Sequence, residues 1–282
     1  MGLEAIRKEY LKALCAKVIC LKSGIPNMAD VGNRASKEIS ERIVAKIGYP
    51  LCEDVPASQT VGTIFSQFTM EFLNNAFVML AHLRPGDWIF SASQAGAGIT
   101  AFEQYGHLGE INRLIKEYRE LELNFGGDYL IIPDIVIGRN PITDNEVNKK
   151  EKVVNRKAAL LTPLRKNNYS DPAPILHASI SCKWTIRSDR SQNTRTEALN
   201  LIRNRKGKTP HIAAVTAEPL PTRIASLAMG TGDIDCVYHM ALNELREVLK
   251  EMGNEDQGDM LETLINGKRL RDISDLPLDL IS

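Results

Sequence analysis

The chain has 282 residues, with 35 Lys and Arg balanced by 35 Asp and Glu; 43% of it is hydrophobic and 25% charged. This is a soluble globular composition, long enough for one large α/β domain or two small ones. It excludes a uniformly basic protein, and no apolar run nears the roughly 20 residues of a membrane span. The five cysteines (15, 20, 52, 182, 236) form no C-x-x-C pair and no zinc-spaced cluster, so reduced structural thiols are expected.

Charges run through the first residues, MGLEAIRKEYLKALCAK, where a secretory signal would need an unbroken apolar core, so a cytoplasmic location is expected. Ile6, Leu11, Leu14, Val18 and Leu21 recur at helical intervals and predict a helix over 3–21. A polar loop from Ser23 to Arg34 leads to a second helix through Ile39, Ile43 and Ile47. A third helix, from about Gln59 to Leu83, carries a stripe of core phenylalanines. Arg84-Pro85-Gly86-Asp87 is turn chemistry, and Trp88-Ile89-Phe90 reads as a short strand. A helical region from about Gly98 to Asn124 follows.

Tyr129 to Ile137 is apolar at nearly every position and predicts a strand buried on both faces. Asp134 is the exception. A carboxylate there needs a cation or donors to offset its desolvation, and Pro133 beside it removes a ladder hydrogen bond. Residues 139–173 form a polar, basic excursion with a helix expected around Val153 to Leu161. Next comes an alternating strand, Leu176 to Thr185, with Lys183 on its polar face alongside His177, Ser179 and Ser181. Ser188 or Asp189 can cap the helix after it, which ends at Gly207. His211 to Thr216 reads as a strand, implying parallel pairing through a right-handed crossover. Pro221 opens a helix with Arg223 in its first turn. Helices around Val237 to Met252 and Met260 to Asn266 and an Asp-rich tail complete the chain. No linker is evident, so a single domain, 1–282, is expected.

The stretch from Lys183 to Lys208 holds eight basic residues (183, 187, 190, 195, 203, 205, 206, 208) against two acidic ones (189, 197), although the whole chain is neutral. Such a local excess is the usual footprint of a phosphate backbone. Asp134 and Lys183 on two strands of one sheet, with Glu197 on the following helix, are the parts of a metal-dependent phosphodiesterase. Hard oxygens hold Mg²⁺, and the lysine stabilises charge or orients the attacking water. Arg187, Asp189 and Arg190 stand at a helix start. An arginine fork matches guanine O6 and N7 and an aspartate accepts from cytosine N4, so together they would read G and C.

The segments HASISCKWTIRSDRSQNTRTEALNLIRNRKG, Pro210 to Ala217 with Arg223, and NGKRLRDISDLPLDL resemble the PD-(D/E)xK nuclease superfamily, in the branch of type II restriction endonucleases that reads CCGG cores. The resemblance thins before Asp87 and between Arg139 and Ile175. It implies an α/β fold with a mixed central sheet flanked by helices. It implies Asp134 and Glu197 as active-site acids and Lys183 as the catalytic lysine, with Ser181 where the commoner motif has its acid. It further implies two Mg²⁺ ions per active site, with the main-chain carbonyl of Cys182 as an additional ligand. Arg187, Asp189 and Arg190 would read the core, Asp30 and Arg223 the outer G·C pair, and Gln59 would make a minor-groove contact. The implied site is GCCGGC, cut to leave a CCGG overhang. A palindrome implies a homodimer on double-stranded DNA, and the resemblance extends this to a homotetramer. Two departures stand out: Ser66 replaces a glutamate of the family, expected on the face of its helix toward DNA, and Gly32 replaces a serine near the outer pair.

The competing readings are a DNA-binding protein without catalysis and a repair or junction nuclease that recognises DNA shape. Cutting of plasmid DNA in Mg²⁺ separates all three.

Overall fold

In the computed structural model, residues 2–53, 57–92, 98–118, 131–230 and 232–282 are described. The first elements in chain order are α1 (Leu3–Lys17), β1 (Leu21–Lys22), β2 (Ile25–Pro26), α2 (Arg34–Ile47), α3 (Ser58–Leu80) and β3 (Trp88–Ala92). Next come α4 (Gly106–Glu117), β4 (Ile135–Arg139), α5 (Asp144–Val147), β5 (Ile175–Lys183), α6 (Ser188–Asn204) and β6 (His211–Thr216). The chain continues through α7 (Pro221–Ala228), β7 (Cys236–His239), α8 (Leu242–Met252), α9 (Glu255–Asn266), β8 (Leu270–Asp272) and α10 (Leu276–Ile281). Strands β3 to β8 form a mixed sheet in simple sequence order, and β1 and β2 pair separately. The chain divides into two compact units. One comprises Met1–Arg84, Ile180–Ala198 and Ile212–Ser282; the other comprises Pro85–Ser179 and Leu199–His211.

In the first unit, α1 buries Ile6, Tyr10, Leu11 and Leu14 at the expected intervals. The Tyr10 ring lies 5.2 Å from that of Phe72 on α3, and its hydroxyl meets Thr69 Oγ1 at 3.0 Å. Arg7 is buried too, which is tolerable because it is fully paired: it donates to Asp272 of β8 and Glu244 of α8, each at 2.8 Å or less. β6 runs parallel to β7, from Ala213 opposite Cys236 to Thr216 opposite His239, and β7 runs parallel to β8. Asn33 caps α2 by accepting from the Ser36 N–H, and Gly48 ends it in the left-handed conformation.

In the second unit, β3 and β4 are antiparallel, with Trp88 opposite Arg139 and Ala92 opposite Ile135. The Phe102 ring packs on Gly138 so closely that an added Cβ would meet it at 2.6 Å. Gln104 fastens the start of β5 with both ends of its amide, donating to Leu176 O at 2.7 Å and accepting from Leu176 N at 2.8 Å.

The sheet, its mixed pairing and the helical class follow the expectation, but several elements differ. Helix α1 stops at Lys17. Beyond it the chain turns into the β1–β2 hairpin through Ser23 and Gly24, both at positive φ, and Asn27 takes the Val18 carbonyl at 2.7 Å. The cysteines are not all reduced: Cys20 and Cys52 are disulfide-bonded, while Cys15, Cys182 and Cys236 are free and buried. The region from Gly98 begins with two 3-10 turns and becomes α-helical only at Gly106; its expected end at Asn124 lies outside the described residues. No helix forms at 153–161. Asn148 instead accepts from the backbone N–H groups of Val153 and Val154, giving the chain a local partner that competes with helix bonding.

The strand expected from Tyr129 starts only at Ile135, and Tyr129 itself lies outside the described residues. Pro133 has no N–H to donate and the ladder forms after it, so Asp134 precedes the strand and is half-buried. Val237 and Tyr238 belong to strand β7, where pairing on both sides overrides the helix expected there. The Asp-rich tail is ordered as β8 and α10.

Candidate nucleic-acid interface

The loop after β2 is built to present Asp30. Ser36 Oγ on α2 accepts the Asp30 N–H at 2.9 Å, and Asp30 O accepts the Asn33 N–H at 2.9 Å. The side chain is then shared: Oδ1 accepts the Gly32 N–H at 3.0 Å, and Oδ2 accepts from the Arg223 guanidinium in the first turn of α7. That arginine first, then the Gly32 amide, holds the Asp30 carboxyl below the usual carboxylate range, and the charge of Arg187 acts in the same direction.

Arg187 arrives from a third direction, the turn between β5 and α6, and is exposed. Asp30, Arg187 and Arg223 line one open cleft of about 620 Å³, together with Thr185, Thr222, Ser226 and Val31, the last at 65% exposure. A carboxylate that only accepts and two guanidinium forks that only donate therefore face one solvent-open space, the complement that base-pair edges require.

The turn carrying Arg187 is held from beneath. Trp184 is buried, its ring 5.1 Å from that of Phe65 on α3 in an edge-on contact. Ile186 donates its N–H to Glu218 Oε2 at 2.9 Å. Asp189 and Arg190 occupy the first turn of α6, as expected, and Gln59 the first turn of α3; the side chains of all three lie outside the described residues.

The structure places the expected catalytic residues as follows. Lys183 closes β5 and is half-buried, with Cys182 buried before it. β5 is buried continuously from Leu176 to Ile180, with His177 and Ser179 buried on the face expected to be polar, and the expected alternation shows only from Ser181 to Lys183. Glu197 sits on α6 beside the buried stripe of Thr194, Ala198 and Leu201 and is itself half-buried. Asp134 immediately precedes β4. Ser66, expected on the face of α3 toward DNA and the active site, is buried, and its hydroxyl donates back to the Gly62 carbonyl at 2.9 Å. Among the basic residues after Lys183, Arg195 is committed to protein, donating to the Leu227 and Met229 carbonyls.

Sequence reasoning missed Glu218, Thr222 and Ser226. Glu218 had one available signal, an acid two residues after the apolar strand HIAAVT, and it is buried at 1% exposure. Burial pushes its carboxyl up to about 7 against two backbone N–H donors that pull it down.

A cleft offering paired acceptors and donors beside a mixed sheet suits a protein that reads duplex DNA, and comparison with known sequences gives its class: the chain is a type II restriction endonuclease, a site-specific deoxyribonuclease. A family model described as NgoMIV restriction enzyme matches residues 10–282. The type II restriction enzyme NgoMIV of Neisseria gonorrhoeae is 47% identical over 261 residues, covering 91% of this chain and 90% of the relative. The chain thus belongs to the NgoMIV restriction enzyme family, which implies DNA as a partner and, generally, a divalent metal ion. Among the described residues, no helix is long and apolar enough to cross a membrane.

Proposed function

We propose that this protein hydrolyses phosphodiester bonds of double-stranded DNA at a palindromic CCGG-core site, GCCGGC, leaving a CCGG overhang, with Mg²⁺ as its metal. The observation that carries the reading is the convergence of Asp30, Arg187 and Arg223, from three separate segments, on one open cleft. Arg187, Asp189 and Arg190 are assigned to the core, Asp30 and Arg223 to the outer pair, and Gln59 to the minor groove.

Asp134, Lys183 and Glu197 are assigned to catalysis. Among the described residues no group of three or more His, Cys, Asp or Glu side chains is placed to hold a metal ion. The donor set proposed is two carboxylates, Asp134 and Glu197, with the Cys182 carbonyl; these are the hard oxygens that Mg²⁺ prefers, with further positions left to phosphate and water. When bound, the metal supplies charge neutralisation at the phosphate and a lower pKa for water, and two ions per site are proposed. Lys183 donates to the reacting phosphate or its attacking water, while the two acids orient that water and keep the site negative until DNA arrives.

Two-fold symmetry of the site calls for a homodimer as the minimal unit on DNA, with a homotetramer as the working assembly. The two compact units are proposed to act as one domain, since the boundary between them falls inside β5.

Digestion of plasmid DNA with and without Mg²⁺, with mapped ends, tests this reading. Discrete fragments with CCGG overhangs are expected from the wild type and none from Lys183→Ala. Binding without cutting would indicate a recognition protein, and cutting only at branched or damaged DNA would indicate a shape-specific nuclease.

A further inference from the structure

Glu218 lies two residues beyond the end of β6, and its two carboxylate oxygens are divided between the two segments that frame the cleft. Oε2 accepts the Ile186 N–H at 2.9 Å, one residue before Arg187, and Oε1 accepts the Leu220 N–H at 3.2 Å. Leu220 is the N-cap residue of α7, whose first turn carries Arg223. Glu218 is itself fixed through its backbone: its N–H donates to Thr216 Oγ1 at 3.1 Å, and its carbonyl meets His239 Nε2 at 3.2 Å. His239 is wholly buried and its Nδ1 accepts the Ala241 N–H at 3.1 Å, so Nε2 carries the proton and donates to Glu218. The chain thus spends a buried acid on joining two backbone amides that belong to different reading elements. A glutamine offers one acceptor oxygen and would leave one of those amides opposite an NH₂ group.

We propose that Glu218 is a positioning residue for base recognition, setting the distance between the Arg187 turn and the start of α7 so that both guanidinium groups meet neighbouring base pairs in register. This rests on the reading of the cleft as the base-reading surface. Glu218 does not touch DNA in this account; it acts through Arg187 and Arg223. Loosening it should therefore cost discrimination between sequences and leave phosphate-driven affinity alone.

The test compares affinity for a GCCGGC duplex and for a random-sequence duplex, using the full chain and its Glu218→Gln and Glu218→Asp variants, with Arg187→Ala and Arg223→Ala as controls. Glu218→Gln should weaken cognate binding about tenfold, the effect of one hydrogen bond to a charged group, with random-duplex affinity unchanged. Glu218→Asp, which keeps both acceptors on a shorter stem, should fall between it and the wild type. Parallel losses on both duplexes would make Glu218 merely structural and overturn the proposal. If neither arginine variant loses discrimination, the reading of the cleft has failed. If both arginine variants lose it while folded Glu218→Gln keeps the wild-type ratio, the positioning role alone has failed. Hydrogen exchange in the unmutated protein covers the case in which the variants do not fold. The Ile186 and Leu220 amides should exchange as slowly as those of β6, and exchange at the rate of an open loop would overturn the proposal.

Discussion

Asp30 and Arg223, 193 positions apart in sequence, are paired through Asp30 Oδ2, while the other carboxylate oxygen is held by the Gly32 amide. The free protein already holds a carboxylate acceptor and a guanidinium donor, the two groups proposed to read the outer G·C pair, side by side and at about one-third exposure each. Such a pair gives little stability in water, but it removes rotamer freedom that binding would otherwise have to freeze.

Asp30→Ala should release Arg223 and relax selection at the outer base pair, with discrimination there falling by about 1–3 kcal/mol and the CCGG core still required. Cleavage rates on duplexes differing only at the outer pair measure this. Unchanged outer-pair selectivity would remove Asp30 from recognition.

The Cys20–Cys52 bond closes a loop that contains Asp30 and all of α2, with a sequence separation of 32. A cross-link of that span restricts the unfolded chain by about 3–4 kcal/mol. Cys20→Ser should lower the thermal midpoint in the absence of reductant, and the difference from wild type should vanish when reductant is present. Five titratable thiols in the unfolded, unreduced protein would show that the bond does not form.

Glu218 and His239 give opposite pH signatures. The folded Glu218 carboxyl is pushed up to about 7 from an ordinary 4.5, chiefly by burial, with Arg223 and Asp30 the charged groups acting on it. Between those values the folded protein binds more protons than the unfolded one, so this group's contribution to stability falls as pH rises from 4.5 to 7. His239, buried and neutral with its value lowered to about 4, binds fewer protons when folded, and its contribution rises from pH 4 to 6.5. The two partly cancel in the wild type. Subtracting the unfolding free energy of Glu218→Gln from that of the wild type isolates the acid: the difference should shift by about 2–3 kcal/mol against the wild type between pH 5 and 8. A flat difference would mean that Glu218 is not buried as described.

Ser66 is buried with its hydroxyl occupied, so α3 supplies no carboxylate at this position. Glu71, the next acid along α3, is instead bonded to Gln67 on the surface. Ser66→Glu should lower the Mg²⁺ concentration needed for cleavage while costing stability, because the new carboxylate must be accommodated at a buried position. Superimposable Mg²⁺ titrations for the two proteins would make Ser66 a neutral replacement.

Much of this could be read in the residues because the signals were local. The apolar periodicity of α1, α2 and α3 and the alternation of β5 are backbone geometry written directly into side-chain order, and the Arg187-Ser188-Asp189-Arg190 turn marks the helix start at α6. What could not be read depends on partners distant in sequence. Cys-Val-Tyr-His has no period of its own and becomes β7 by pairing with β6 and β8. Cysteine spacing does not encode which thiols meet, and Cys20 reaches Cys52 only after the hairpin turns back. Glu218 reads as an ordinary loop acid until the fold buries it under Ile186 and Leu220. The position of Asp134 was legible in kind but not in degree: Pro133 marked an irregularity, yet the strand begins after it and the carboxylate is less buried than its apolar neighbours suggested.

The most direct test of the account is to digest a duplex library, randomised across the site, with the wild-type protein and Mg²⁺ and to sequence both strands of every cut end. The account predicts that every recovered end carries a CCGG overhang and that the flanking pair is G·C. Ends scattered over unrelated sequences, or a common core other than CCGG, would contradict it.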